Sequence, residues 1–390
     1  MSYGPGVTPA ALVVAPDKFK GSLSAAAAAD AMAAGCRDAL PDCRVTAVPV
    51  ADGGDGTVDV LRRAGARLVR RTVTGPLGAD VEAEFAVLGD TAYLETAQAC
   101  GLRHVPAPGP ATARTATTYG VGQLVAAALE LGHRRIVLGL GGSATTDGGA
   151  GMAVALGARL LDADGRDLPP GGAALSGLAA VDLNGLDARL RDVEVVLACD
   201  VDNPLSGPLG AAAVFASQKG ADRDSVAELD AALTRFGVRL AAVLGADVAG
   251  RPGAGAAGGL GAGTMAFLGA RATSGIDLLL ELLGLPGTVR GADLVLIGEG
   301  RLDDQTFAGK APVGVARLAG SLGVDVVAVA GQVAARPEAL HAAGIQAAHS
   351  LTERAESMDD AVRRAAELLR VTAAVAVAEW AERRSAAPRD

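Results

Sequence analysis

Short apolar runs recur along the chain, each broken by a polar, glycine-rich turn and followed by an alanine-rich stretch of helical period. Ala11 to Ala15 predicts a strand that ends in Pro16-Asp17-Lys18-Phe19-Lys20-Gly21-Ser22, and Ser22 or Ser24 caps a helix running to about Ala39. Arg44 to Val48 predicts a second strand, opening into Pro49-Val50-Ala51-Asp52-Gly53-Gly54-Asp55-Gly56-Thr57 and a helix over Val58 to about Ala64. Strand, helix, strand, helix with short links predicts a right-handed parallel unit.

The period changes after Gly65. Arg67 to Val73, Ala79 to Leu88 and Thr91 to Glu95 alternate over short lengths with Gly-Pro and Gly-Asp turns between them, which predicts antiparallel hairpins. A helix over about Thr117 to Leu131 leads into a strand at Arg135 to Leu140, a turn of glycines and hydroxyl residues, and a helix resuming near Met152. Glu194 to Ala198 predicts a strand ending in Cys199-Asp200-Val201-Asp202-Asn203-Pro204. Helices follow near Asp224 to Leu244 and Met265 to Leu283; the glycine run Gly253 to Gly263 between them is a lid or a packed turn.

Strand and helix alternate again from Ala292. Leu294 to Ile297 leads into Gly298-Glu299-Gly300-Arg301-Leu302-Asp303-Asp304-Gln305-Thr306, then a helix over about Pro312 to Leu322 and a strand over Val324 to Ala330. A short strand near Ile345 to His349 and one long helix from about Met358 to Arg384 close the chain. The fold class expected is α/β: a discontinuous parallel-sheet domain from residues 1–65 plus 288–390, with a second α/β domain inserted over 66–287 and the active site in the cleft between them.

Composition narrows this picture. Half of the 390 residues are hydrophobic but only 3% are aromatic, with 53 glycines, so the core must be built from Ala, Val and Leu packed closely on sheets. A net charge of −9 argues against non-specific nucleic-acid binding, though not against an anionic substrate met by a local cationic cluster. Four cysteines without metal-ligand spacing and no apolar stretch of spanning length predict a cytoplasmic protein with reduced thiols and no membrane partner.

Charge collects where each predicted strand ends, the edge at which open parallel sheets bind ligands. The types present are those that phosphoryl transfer requires: glycine amides for phosphates, carboxylates for hydrated Mg²⁺, cations for the moving charge, and a base for the acceptor hydroxyl. There is no P-loop, since Gly309-Lys310 is followed by Ala311, and no protein-kinase signature set.

Taken together, the loops resemble those of bacterial type I glycerate kinases. The resemblance rests on Ala15 to Ala25, Pro49 to Thr57, Glu95-Thr96-Ala97, Ala116 to Gly122, Gly139 to Met152, Ala198 to Leu205, Phe215 to Gly220, Gly298 to Asp303, and Gln305-Thr306 through Gly309 to Pro312. It implies a Rossmann-like domain carrying an inserted α/β domain, and ATP-dependent phosphorylation of D-glycerate giving 2-phosphoglycerate. A kinase for another short hydroxy acid such as a tetronate, or a sugar-acid sensor without turnover, are the competing readings. A monomer or a homodimer fits either.

Each candidate residue has a plainer reading beside its functional one. Lys18, Lys20 and Arg301 are candidates for the substrate carboxylate and the moving charge, or are solvated surface cations. Asp52 and Asp55 are candidates for Mg²⁺ or the acceptor hydroxyl, or are Asx-turn residues. Asp200 and Asn203 bind metal or substrate or form an ordinary turn, and Asp200 is the favoured proton acceptor. Glu299 is a further metal candidate and Asp303 a substrate candidate. Gly141, Gly142, Ser143, Thr145 and Thr146 form a phosphate cradle or a plain helix cap, with Lys310 as a second phosphate contact.

Overall fold

The computed structural model describes residues 9–51, 53–54, 56–303, 306 and 310–386. Among these the strands in chain order are β1 (Ala11–Pro16), β2 (Arg44–Ala47), β3 (Arg67–Thr74), β4 (Asp80–Leu88), β5 (Thr91–Glu95), β6 (Arg135–Gly139) and β7 (Arg159–Leu161). They continue as β8 (Ala180–Asp182), β9 (Glu194–Ala198), β10 (Arg271–Thr273), β11 (Leu294–Leu302), β12 (Asp325–Val333) and β13 (Ala347–Ser350). The chain divides into two compact units, Met1–Asp52 with Ile276–Asp390, and Gly53–Gly275. These breaks lie 13 and 12 residues before the expected ones at 65 and 287, so the helix Thr57–Arg63 goes with the second unit and the helix Gly275–Leu282 essentially with the first.

The first unit is a five-stranded parallel sheet in the order β13-β12-β11-β1-β2. Its three central strands, β1, β11 and β12, are buried on both faces and split their side chains between two cores by the period-two rule, while the edge strands β2 and β13 are only partly buried. Leu12, Val14, Leu294, Leu296, Val327 and Val329 face one core, completed by the helices Ala25–Ala39 and Ala365–Ala386. Val13, Ala15, Val295, Ile297, Val326 and Ala328 face the other, completed by the helix Ala311–Ser321. Alanine and glycine let the helices come close: a Cβ on Gly35 would overlap the carbonyl oxygen of Arg370 on the neighbouring helix.

This connectivity creates a switch point. β1 leads through the helix Ala25–Ala39 to β2 on one side, whereas β11 leads through Ala311–Ser321 to β12 on the other, the two helices lying on opposite faces. β1 and β11 are adjacent, with Pro16 opposite Gly298, so the crevice opens between their carboxyl ends.

The second unit holds a six-stranded sheet in the order β10-β9-β6-β5-β4-β3. β3, β4 and β5 are the antiparallel meander expected from their alternation, and β5, β6, β9 and β10 are parallel. One expected element is corrected. The stretch Met265 to Leu283 is not one helix: a helix ends at Phe267, β10 intervenes, and a second helix starts at Gly275. β10 has the pattern Arg-Ala-Thr with all three residues exposed, so nothing in its hydrophobicity marks it as a strand. The terminal helix is likewise broken, between Arg363 and Ala365.

The glycine run takes the packed form. Gly253 and Gly258 to Gly263 are buried, and the helix Ala256–Phe267 contains three consecutive residues with positive φ, Ala257 (51°), Gly258 (74°) and Gly259 (87°). Only glycine fits at 258, because a Cβ there would overlap the carbonyl oxygen of Thr145. Gly148 N–H donates to the Gly258 carbonyl at 3.0 Å, tying the run to the turn after β6.

Candidate functional site

In the first unit the predicted charges gather at the switch point. Asp17 N–H donates to the Gly298 carbonyl at 2.8 Å, which continues the β1–β11 ladder past Pro16. Gly300 then packs against the backbone of Phe19 and Lys20, a Cβ on it lying 3.2 Å from Lys20 N. The backbone at Phe19 and Lys20 thereby lies beside Gly300, between Glu299 and Arg301 in the chain. Arg301 Nε pairs with Asp303 Oδ2 at 3.2 Å but is 61% exposed, so the pair adds little stability and leaves the guanidinium open to solvent.

Glu299 is different in kind. It is 6% exposed, and its Oε1 is buried with no hydrogen-bond partner among the described residues. Oε2 lies 3.9 Å from Lys310 Nζ. Burial pushes its carboxyl up to about 7; Thr306 and Lys310 oppose that shift, and the nearby carboxylates of Asp17 and Asp303 add to it. Asp17 is itself buried, with Oδ1 accepting from Lys18 N–H at 2.6 Å. Asp52 and Asp55 lie outside the described residues.

In the second unit the expected cradle is only partly open. Gly141 is half-buried and Gly142 exposed, with φ of +63° at Gly142. Ser143 is buried at its edge, while Thr145 and Thr146 are fully buried. The amides at the start of the next helix, Ala150–Ala155, are claimed by the chain itself. Asp147 Oδ1 accepts from Gly149 N–H and Oδ2 from Gly151 N–H, each at 3.2 Å, and Oδ2 also accepts from Thr118 N–H at 2.8 Å and its hydroxyl at 2.9 Å. The acceptor at this helix terminus is therefore the buried Asp147 carboxyl, whose pKa burial raises against these hydrogen bonds, so any phosphate contact falls to the Gly141–Ser143 end of the loop.

Two residues of this network carry no role in the sequence reading. Lys219 is 4% exposed and donates to Thr145 O at 2.6 Å and Ser143 Oγ at 3.2 Å. Burial draws its ammonium down to about 8, against the favourable pull of Cys100 and Asp147. Glu95, 2% exposed, accepts from Val58 N–H at 2.7 Å and so holds the start of the helix Thr57–Arg63. A lone lysine in Ser217-Gln218-Lys219-Gly220 has no local mark of burial; its only sequence signal is its place in the motif Phe215 to Gly220.

Asp200 and Asn203 follow β9, the neighbour of β6. Asp200 is exposed, its Oδ1 accepting from Gly275 N–H at 3.0 Å. Asn203 Nδ2 donates to the Leu209 carbonyl at 2.8 Å, and its own carbonyl accepts from Gly255 N–H, which gives it a turn-forming role. Among the described residues no three His, Cys, Asp or Glu side chains are grouped to hold a metal ion. No described helix is long and apolar enough to cross a membrane.

Comparison with known proteins adds an independent line. The pattern of the glycerate kinase family matches residues 12–381. The chain is 47% identical over 365 residues to a glycerate kinase of Bacillus subtilis (strain 168), covering 93% of this chain and 95% of the relative. It is 44% identical over 355 residues to a glycerate 2-kinase of Escherichia coli (strain K12), covering 90% and 93%. A crystal structure from Salmonella typhimurium LT2 described as a glycerate kinase 2 superposes with a TM-score of 0.85 at 42% identity, over 97% of this chain and 100% of that one.

Proposed function

We infer, from the premise that this chain belongs to the glycerate kinase family, that it uses ATP to phosphorylate D-glycerate at the 2-hydroxyl. The observation that carries the reading is the match of that family over nearly the whole chain; the 2-hydroxyl is favoured by the similarity to the glycerate 2-kinase of Escherichia coli. ATP-dependent phosphorylation of glycerate follows from the family, whereas the D configuration and the product rest on resemblance.

The charges at the switch point suit this substrate. Glycerate is a small carboxylate with two hydroxyls, and Lys18, Lys20 and Arg301 offer cations for its carboxylate beside hydrogen-bonding carboxylates at Asp17 and Asp303. Lys310, 38% exposed at the start of the helix Ala311–Ser321, is placed to reach a phosphate. The Gly141–Ser143 end of the second unit's loop is assigned a further phosphate contact. Asp200 is the proton acceptor for the attacking hydroxyl, and Asn203 steadies its loop.

Mg²⁺ fits the donors present. The buried Oε1 of Glu299, without a partner among the described residues, is an oxygen that a divalent cation would satisfy, and Mg²⁺ commonly takes only one or two carboxylates alongside substrate phosphates. Glu299 is the candidate in the first unit that would hold it, and Asp200 is a separate candidate in the second. The ion would neutralise phosphate charge when bound.

The regiochemistry is decided by phosphorus NMR of the product from D-glycerate and ATP. A resonance coupled to one carbon-bound proton identifies the 2-phosphate; coupling to two identifies the 3-phosphate and would overturn that part of the reading.

A further inference from the structure

The second unit contains a cavity of about 500 Å³ whose lining includes no charged residue. Its walls come from the β3–β4 turn, from Thr115 to Tyr119, from the helix Ala150–Ala155, and from the segment Leu168 to Leu175. β3 runs in the same direction as β5 and β6, because two antiparallel pairings separate β3 from β5, so Thr74 lies at the carboxyl edge of the sheet. That edge is where α/β sheets take their ligands, and the volume lies within the range of about 300–1,000 Å³ usual for small-molecule sites.

The cavity also shares a wall with the loop that follows β6. Asp147 holds Thr118 and Gly151 by the hydrogen bonds given above, and the flanking residues Thr117, Tyr119, Ala150 and Gly151 face the cavity. One carboxylate therefore fixes both the cavity wall and the turn whose glycine end is assigned to phosphate. Two apolar side chains of the lining stand exposed, Leu77 at 42% and Val154 at 41%, and offer apolar contact to a ring. Thr115 Oγ1 donates to the Ala111 carbonyl at 2.9 Å and keeps its lone pairs to accept from an amino or hydroxyl group.

We propose that this cavity takes the uncharged end of the nucleotide, the purine ring and its ribose, with the phosphates directed toward the Gly141–Ser143 end of the neighbouring loop. Glycerate and the triphosphate are both anionic and would gain nothing from an uncharged, largely apolar lining. The nucleoside is the one part of the two substrates that would. This rests on the kinase reading above.

The test uses the full-length protein with Leu77→Asp and Val154→Arg, both at exposed positions, and Val238→Arg, 63% exposed and outside the lining, as control. The expected result is a KM for ATP raised at least about tenfold in the first two variants, with KM for D-glycerate moving less than about twofold and the control unchanged. Calorimetry with adenosine, and separately with inorganic tripolyphosphate, locates the loss: adenosine binding should disappear and tripolyphosphate binding persist. An unchanged KM for ATP in both folded variants would overturn the proposal. So would an altered oligomeric state with ATP affinity intact, which would make the patch a contact between copies. Absence of glycerate turnover in the unsubstituted protein would instead overturn the kinase reading, while the adenosine titration would still decide the cavity.

Discussion

Lys219 Nζ lies 2.6 Å from the carbonyl oxygen of Thr145, a buried ammonium capping a turn whose own helix amides are already taken by Asp147. The turn after β6 is thus held from both ends by buried polar groups, the Asp147 carboxyl and the Lys219 ammonium. Its shape depends on residues up to 76 positions away in sequence.

The charge on Lys219 makes a prediction in pH. Its folded value of about 8 lies below the unfolded value of about 10.4, so between them the unfolded state binds the extra proton. Stability from this group therefore rises as pH increases from about 8 to about 10.4, by on the order of 1–3 kcal/mol. Thermal unfolding of the native protein and Lys219→Met across that range should diverge, with the native protein gaining on the variant. Parallel curves would show that Lys219 is not buried as a titrating ammonium.

Gly258 offers a second test in the same place. Alanine there meets both a φ of +74° and the carbonyl of Thr145, which has no room to move because Lys219 holds it. Gly258→Ala should cost more than about 2 kcal/mol, seen as a lowered midpoint in urea. Gly245→Ala is the comparison, since Gly245 has φ of +68° but nothing within 4 Å of an added Cβ. Equal losses at the two sites would mean that backbone strain alone decides, and that the run is not packed on the turn.

Arg301 is exposed enough to remove without disturbing the core. Arg301→Ala should raise KM for glycerate by about 10- to 100-fold while leaving the unfolding midpoint within experimental error. If KM for glycerate stays put, the guanidinium does not meet the substrate carboxylate.

Asp200→Asn preserves the hydrogen bond from Gly275 N–H and removes the basic oxygen. As proton acceptor it should cost about 10²-fold or more in kcat. An unchanged kcat in the folded variant would take Asp200 out of that role.

The parts of the fold that were legible from the chain are those with strong period. β1, β5, β9 and the antiparallel meander begin or end within a residue or two of their predicted limits, because alternation or a continuous apolar run marks them. β10 was illegible because three exposed residues at a sheet edge have no hydrophobic period to detect. The breaks between the compact units differ from the expected domain limits for a related reason: the antiparallel pattern starts at Arg67, yet the helix before it is fixed to the second unit by Glu95, a contact 37 residues away. In the site, strand-end charges could be read locally, whereas Lys219 and the burial of Thr145 and Thr146 are decided by packing from other segments.

The central claim is glycerate kinase activity, and a coupled assay of ADP release tests it most directly. The acceptors are D-glycerate, L-glycerate, a tetronate and water alone, each with and without Mg²⁺. Turnover that requires Mg²⁺ and is selective for D-glycerate is the predicted result. ADP release no faster with D-glycerate than with water, from protein that binds glycerate, would contradict the account and leave a sugar-acid sensor in its place.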